Sequence, residues 1–309
     1  MNNKTYDLVI IGNGPAGITA AVYAARYKIN QIIVGDMPGG LVSSAHKICN
    51  FPTYTDISGM ELTQKFIEQL TQLQIPQIFD RVQEIHPQPD HTFSILLSNH
   101  QQIISKTILL AIGTKHRHLN LAKENEFLGN GLSYCATCDG MLYKNKTIAI
   151  VGGSDSANTS ALYLSQIADQ VYQIYRGSSL RGDPTWIEQI HQNSRITTIY
   201  NTNIVELLGQ EKLTGVKLDQ PYRQQDILKI DGLFIEIGSE PDNSIIQNLS
   251  ISTQNNYIIS NPDQTTTHPG IWAAGDITTG SNGFRQIITS CSEGAIAAQN
   301  IFEYLQRQK

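Results

Sequence analysis

In the run Ser133-Tyr134-Cys135-Ala136-Thr137-Cys138-Asp139-Gly140, two cysteines stand two residues apart with an acid directly after the second. That spacing suits two-electron exchange with a disulfide, because neighbouring dipoles stabilise one thiolate enough for it to attack at neutral pH. Asp139 is placed to hand a proton to a leaving thiolate. Other chemistries fit less well. Zinc needs two more soft ligands at short spacing, and the remaining cysteines, Cys49 and Cys291, are far away in sequence. A bridge closed over two residues adds little to the stability of a chain this size, which disfavours a purely structural disulfide. An inert pair of buried thiols is the remaining alternative. Cys49 and Cys291 are read as packing residues.

A redox pair needs a scaffold and an electron source, and a strand–glycine turn–helix pattern occurs twice. Residues 6–11 read as a short buried parallel strand, followed by Gly12-Asn13-Gly14-Pro15-Ala16-Gly17 and an Ala-rich helix over Ile18–Tyr27. In this setting the first glycine permits a tight turn and the second lets a pyrophosphate approach the backbone. The third lets helix pack on strand, with the phosphates at the helix N-terminus. A strand at 31–34 leads to Asp36, about 20 residues beyond the glycines, where an acid binds a ribose hydroxyl. The pattern restarts at Thr147: a strand over 148–151, the turn Gly152-Gly153-Ser154-Asp155-Ser156-Ala157, a helix over 159–168 and a strand over 171–175.

Between and after these units, residues 60–73 carry Leu62, Phe66, Ile67, Leu70 and Leu73 at helical spacing, and 38–52 form a loop able to approach a flat ring. Residues 78–97 are read as a packing sheet, and a strand over 108–112 ends at Gly113-Thr114. Residues 196–237 alternate like strands, with turns near Gly209 and Pro221. A last helix spans 292–305. Gly275-Asp276 reads as completing the opening unit, so the second unit is inserted into the first.

Length and charge bound the rest. A chain of 309 residues predicts about two domains. With 40% hydrophobic and 16% charged residues the composition is that of an ordinary globular protein. A net charge of −5 argues against nucleic acid or an anionic membrane as partner. The polar opening, Met1 to Asp7, precedes an apolar run too short for a signal sequence, and no run of ~18 apolar residues predicts a membrane span. Four cysteines without a leader fit a reducing cytosol, so a cytoplasmic location is expected. His116-Arg117-His118 is read as a solvated hinge, since two histidines without a third ligand hold a metal poorly; no metal site is expected.

Taken together, the motifs resemble the low-molecular-weight thioredoxin reductases nearly end to end. The likeness rests on the first glycine turn, Pro38-Gly39-Gly40, Asn50-Phe51-Pro52, Ser133 to Gly140, Ile237-Gly238 with Pro241, Gly270 to Asp276, and Phe284-Arg285-Gln286. The cysteine octet is its most specific part. The resemblance implies an α/β fold of two Rossmann-like nucleotide-binding domains of three-layer ββα type. An FAD domain would comprise residues 1–115 and 245–309, and an NAD(P)-like domain of residues 116–244 would carry the cysteine pair. FAD contacts are implied for Gly12, Gly14, Pro15, Ala16, Gly17 and Asp36, for Gly39, Gly40, Asn50 and Gly113, and for Asp276, Arg285 and Gln286. Bottom-up, Asp276 is alternatively a helix cap. The resemblance also implies that Cys138 faces the flavin, that Asp139 is the acid, and that the small domain rotates on hinges near Gly113-Thr114 and Glu240-Pro241. The partners implied are thioredoxin or a similar small dithiol protein, and a second copy of the chain in a homodimer.

The second turn departs from the family's Gly-x-Gly-x-x-Ala: Ser154 replaces the second glycine and crowds a pyrophosphate. The family's His-Arg-Arg-x-x-x-Arg, which grips a 2′-phosphate, reads Tyr175-Arg176-Gly177-Ser178-Ser179-Leu180-Arg181, and the usual acidic pair after Ala157 is Thr159-Ser160. One lost charge-assisted phosphate contact weakens binding about tenfold. Arg176 and Arg181 still allow an anionic ligand, and Trp186 is either a stacking surface or a core residue. The pattern is similar to the pyridine-nucleotide-independent branch of the family, which uses reduced ferredoxin or a second FAD in the degenerate site. Neither the inserted region nor the remainder carries net positive charge, which counts mildly against an acidic ferredoxin. The expectation is an FAD-dependent disulfide oxidoreductase using Cys135 and Cys138, with a donor other than NADPH. The rivals are a conventional NADPH enzyme and a flavin redox sensor without turnover.

Overall fold

The computed structural model describes residues 5–308; the polar residues 1–4 and Lys309 lie outside the described residues. The chain opens with β1 (Thr5–Ile11), α1 (Pro15–Arg26), β2 (Gln31–Val34) and α2 (Gly59–Gln72), then β3 (Gln77–Ile78), β4 (Val82–Pro87), β5 (Phe93–Leu97) and β6 (Gln102–Leu110). It continues through β7 (Leu132–Ser133), the single helical turn α3 (Ala136–Asp139), β8 (Thr147–Val151), α4 (Asp155–Leu164), β9 (Gln170–Ile174), α5 (Pro184–Gln192) and β10 (Ile196–Ile199). Then come β11 (Ile204–Gly209), β12 (Leu213–Tyr222), β13 (Gln225–Lys229), β14 (Gly232–Ile235), β15 (Ile271–Ala273) and α6 (Ile287–Arg307). Two compact units result, one of residues 1–43, 48–115 and 241–309, the other of 44–47 and 116–240.

In the first unit the sheet order is β3-β2-β1-β6-β5-β4, with β15 also on β6. Strands β3, β2, β1, β6 and β15 run parallel, while β5 and β4 are antiparallel. Strand β1 alternates between two cores: Val9 and Ile11 pack with Val34, Ile95 and Ile108 on one face, and Leu8 and Ile10 with Ile18, Ala21 and Ile301 on the other. Burial on both faces explains its unbroken apolar run. Pro15 occupies the first turn of α1, where a missing N–H costs nothing. A reciprocal capping box of Ser58 and Glu61 starts α2.

The second unit has a parallel sheet in the order β10-β9-β8-β14-β7, plus the antiparallel ribbon β11-β12-β13. Its core also has two layers, one around Val151, Leu207 and Val216 and one around Ile148, Ala161 and Phe234. Both units thus show the mixed α/β architecture with Rossmann-like parallel sheets that the resemblance implies.

Several boundaries differ from the sequence reading. Strand β6 begins at Gln102, not 108, since Ser105 and Thr107 are buried polar residues whose hydroxyls reach the carbonyls of Thr107 and Asp7. Helix α4 spans Asp155–Leu164, four residues ahead of the expected 159–168, because it starts directly at the glycine turn as α1 does. The turn expected at Pro221 lies at Arg223–Gln224, both at positive φ, and Pro221 sits within β12 beside a register shift. The last helix starts five residues earlier, at Ile287. Cys49 is exposed and is no packing residue, while Cys291 is half-buried. Trp186 is half-buried on α5, neither a core residue nor a free face.

Helix α6 crosses α1 at Gly294, where a Cβ would stand 2.1 Å from the Ala16 carbonyl oxygen. Gly294→Ala must push the two helices apart, and urea unfolding is expected to lose about 1–3 kcal/mol. An unchanged midpoint would show that the helices do not depend on this approach.

Candidate functional site

Strand β7 is paired in parallel with β14, Leu132 opposite Leu233 and Ser133 opposite Phe234, and this edge delivers the chain to the cysteine turn. Cys135 and Cys138 form a disulfide. Cys135 caps α3, its Sγ accepting from the Cys138 N–H at 3.2 Å; Cys135 is half-buried and Cys138 exposed. The hydroxyl of buried Ser133 donates to Asp139 Oδ2 at 2.6 Å and accepts from the Cys135 N–H at 3.0 Å. Thr137 donates to the Ser44 carbonyl at 3.0 Å, and His46 stacks on Tyr163, so residues 44–47 pack with this unit. That contact was not legible from a loop read only as a flavin approach.

Tyr134, just before the pair, is anchored through its hydroxyl to Glu124 and lies 2.7 Å from His118 Nδ1. Burial opposes ionisation of Glu124, yet hydrogen bonds from Tyr134 and the N–H groups of Leu119 and Leu121 outweigh it and hold the carboxyl below its usual range. Burial, then the bond to Glu124, pushes the Tyr134 phenol well up. His116 is pushed down by burial and by the neighbouring His118. Among the described residues no group of three or more His, Cys, Asp or Glu is arranged to hold a metal ion.

The first glycine turn separates packing from binding. At Gly12 (φ 110°) a Cβ would meet the Ala111 carbonyl at 2.1 Å, and at Gly17 it would meet the Gly12 carbonyl at 1.9 Å, so these two are required by the chain itself. At Gly14, the N-cap of α1, the nearest atoms are 3.9 Å away, an ordinary contact, so the chain itself does not require a glycine at this helix N-terminus. Ala16 is buried behind it, and Pro15 is half-buried. Gly39 and Gly40, both at positive φ, fold back here, the Gly39 N–H donating to the Asn13 carbonyl at 2.9 Å. At Gly113, with φ 60°, a Cβ would meet no described atom within 4 Å.

Asp36 stands at the end of β2 with Oδ2 held by Arg81 at 2.8 and 2.9 Å. Asp276 accepts from Ser290 at 3.0 Å, and burial raises its carboxyl. Arg285 lies over the Tyr257 ring at 3.8 Å and donates to the Asp276 carbonyl, while Gln286 caps α6 and accepts from Asn50 at 3.0 Å. Two residues of this loop system escaped sequence reasoning. Buried Glu293 accepts from the Gly275 N–H (2.7 Å), Thr278 (3.1 Å) and Ser281 (2.6 Å), fixing the loop around Asp276. Buried Thr63 has no partner for its hydroxyl among the described residues, and that hydroxyl lies against Gly39.

The second turn is built on the same plan with different contents. A Cβ at Gly152 would meet the Glu236 carbonyl at 2.2 Å, and Ala157 is buried behind it. Ser154 occupies the N-cap of α4, the position Gly14 holds in α1, and its exposed hydroxyl makes no capping bond. The Tyr175 ring fills the space beneath Gly153 and Gly177, where Cβ atoms would stand 2.5 and 2.6 Å from it. Arg181 lies over that ring, 6.0 Å from its centre, and its N–H donates to the Gly153 carbonyl at 2.7 Å, while Asp155 accepts from the Asp183 N–H at 2.6 Å. Ser156 and Arg176 are exposed. Ser160 donates to Glu236 at 2.9 Å, and burial pushes the Glu236 carboxyl up to about 7.

The pyridine nucleotide-disulphide oxidoreductase family profile matches residues 6–294. The chain is 37% identical to a thioredoxin reductase of Mycoplasma genitalium over 299 residues, 96% of this chain and 94% of that protein. The crystal structure of Lactococcus lactis thioredoxin reductase superposes with a TM-score of 0.91 at 32% identity, covering 98% of this chain and 99% of that one. A ferredoxin-flavin thioredoxin reductase from Clostridium acetobutylicum superposes with a TM-score of 0.55 at 29% identity, covering 98% of both chains.

Glu236 also makes stability depend on pH. Its folded value, about 7 against an ordinary 4.5, means the native state holds the proton more tightly. The contribution is complete below the ordinary value and is lost as pH rises through the folded one, at up to roughly 1 kcal/mol per pH unit. Glu236→Gln is expected to flatten that part of the profile in chemical unfolding across the window; an unchanged slope would show that the carboxyl is not so perturbed.

Proposed function

We propose, from the premise that this chain belongs to the thioredoxin reductases of the pyridine nucleotide-disulphide oxidoreductase family, that it reduces the disulfide of thioredoxin or a similar small dithiol protein through Cys135 and Cys138, using a donor other than NADPH. The observation that carries the disulfide chemistry is the bridged pair at one helical turn, its second cysteine an exposed residue, with Asp139 beside it on the same turn.

FAD is the family's cofactor, and the first unit has features that fit it: a glycine at 14 that the chain itself does not require, the folded-back Gly39-Gly40 and the partnerless hydroxyl of Thr63. Residues 12–17 would take its pyrophosphate at the N-terminus of α1, and Asp276, held by Ser290 in a loop fixed by Glu293, would take its polar chain. When bound, FAD supplies two electrons to the disulfide. The protein's own part is then sulfur and proton chemistry. One thiolate of the reduced pair attacks the substrate disulfide, the other resolves the mixed disulfide, and Asp139 exchanges a proton with a leaving thiolate.

The donor assignment rests on the second turn. Ser154 stands at the N-cap position that Gly14 holds in the first unit, and a Cβ at 177 would stand 2.6 Å from the Tyr175 ring, so the arginine that would grip a 2′-phosphate fits only if the ring moves. Reduced ferredoxin or a second FAD is the donor this favours. The conventional NADPH reading has its own support in relatives named simply thioredoxin reductase.

Anaerobic titration of the FAD-loaded protein decides between them. The expected result is no bleaching of the flavin band by NADPH or NADH and full bleaching by dithionite or reduced ferredoxin. Stoichiometric bleaching by NADPH would overturn the donor assignment and leave a conventional enzyme. Cys138→Ser is expected to abolish thioredoxin reduction under either donor.

A further inference from the structure

The Asp139 carboxyl sits just beyond the cysteine turn, half-buried, and it reaches Ser133 across the turn. Ser133 is 3% exposed on edge strand β7, so its place is set by the sheet and not by the cysteine loop. Its single proton goes to Asp139 Oδ2 at 2.6 Å in preference to the Cys135 carbonyl at 3.3 Å, and its lone pair takes the Cys135 N–H at 3.0 Å. One hydroxyl therefore ties the acid and the first cysteine to the same point of the sheet. Oδ2 is committed to this bond. Oδ1 has no hydrogen-bond partner of this kind among the described residues and is the oxygen left to carry a proton.

We propose that Ser133 is a positioning residue for disulfide exchange, holding the Asp139 carboxyl so that Oδ1 faces the proton transfer. The inference rests on the reading of Asp139 as the acid. In the exchange, one enzyme thiolate bonds to a substrate sulfur as the substrate S–S bond breaks, and the departing sulfur takes a proton. The second enzyme thiolate then attacks the enzyme sulfur of the mixed disulfide, re-forming Cys135–Cys138 and releasing the other substrate sulfur, which also takes a proton. Two electrons leave the pair and reduce the substrate, and the two protons come from the two enzyme thiols. Asp139 carries such a proton, and Ser133 fixes where it is carried.

A serine that bonds the N–H two residues on is also a common turn-forming device. The two roles separate by leaving group. An alkyl thiolate is a poor leaving group and needs the proton; the thiolate of 5,5′-dithiobis(2-nitrobenzoate) is a good one and does not. The test uses FAD-loaded protein reduced with dithiothreitol and desalted anaerobically, mixed with either that reagent or bis(2-hydroxyethyl) disulfide. Asp139→Asn is expected to slow exchange with the alkyl disulfide by roughly 10²-fold, within the range for a general acid. Ser133→Ala is expected to slow it roughly tenfold, as a misplaced acid would. The double variant should be no slower than Asp139→Asn, Ser133→Thr should run close to wild type, and the aromatic disulfide should react at about the wild-type rate throughout.

Three results would overturn the inference: Ser133→Ala at the wild-type rate, an equal slowing on both disulfides, or a further full loss in the Asp139→Asn background. If the alanine variant fails to fold by circular dichroism, a folded but slow Ser133→Thr does the same. Asp139→Asn at the wild-type rate on the alkyl disulfide would instead sink the acid assignment itself, an outcome distinct from the failure of Ser133 alone.

Discussion

Both units depend on one constraint, the approach of backbone to backbone at the ends of parallel strands at a distance no side chain permits. At Gly12, Gly17 and Gly152 an added Cβ would stand about as far from a carbonyl oxygen as a bonded hydrogen does, between 1.9 and 2.2 Å. Only a bare backbone closes that gap. Once it is closed, α1 lies flat on β1 with its first N–H groups aimed outward, and Gly294 lets α6 settle across it. In the second unit the close approach at Gly152 is to the Glu236 carbonyl, joining the ends of β8 and β14, and β14 in turn pairs with β7, from which the cysteine turn projects. The redox pair thus follows a strand whose immediate neighbour, β14, is held by that contact.

Local patterns were legible in the sequence wherever a single short stretch carries its own explanation. The strands at 31–34 and 148–151, both glycine turns and the cysteine octet are of that kind, since period, spacing and residue type suffice. What was not legible depends on partners distant in sequence. Strand β6 looks too polar at its start until the Asp7 carbonyl, about a hundred positions away in sequence, is seen to satisfy Thr107. Glu293 looks like an ordinary helix residue until three donors from residues 275–281 converge on it. The hairpin at Arg223–Gln224 was missed because neither residue is a usual choice for positive φ, whereas Pro221 nearby is a usual turn residue. Thr63 gave no signal at all, as an orphaned hydroxyl exists only once a fold has buried it.

The second turn shows why residue-by-residue comparison can miscount changes. Tyr175 and Gly177 read in the sequence as two separate losses, a histidine and an arginine. In the structure they are one packing event, because the ring that replaces the histidine occupies the volume into which any side chain at 177 would project. Arginine cannot return to 177 while Tyr175 keeps this rotamer. Arg181 lies over the same ring, where its cation is attracted to the aromatic surface, with its own N–H tied to Gly153.

The acid near this turn follows the same logic. With Thr159-Ser160 in place of the family's acidic pair, Asp155 remains in the first turn of α4, and a second carboxyl, Glu236 on the neighbouring strand end, accepts a hydrogen bond from Ser160. A strand end is a less solvated place for a carboxylate than the exposed first turn of α4, where Asp155 also has the favourable helix dipole. Hence burial outweighs the single bond from Ser160 and the group holds its proton near neutrality. The region therefore holds two carboxyl groups in different settings, Asp155 exposed at the start of α4 and Glu236 raised by burial at the end of β14, one strand in from β7 and the turn of Cys135 and Cys138.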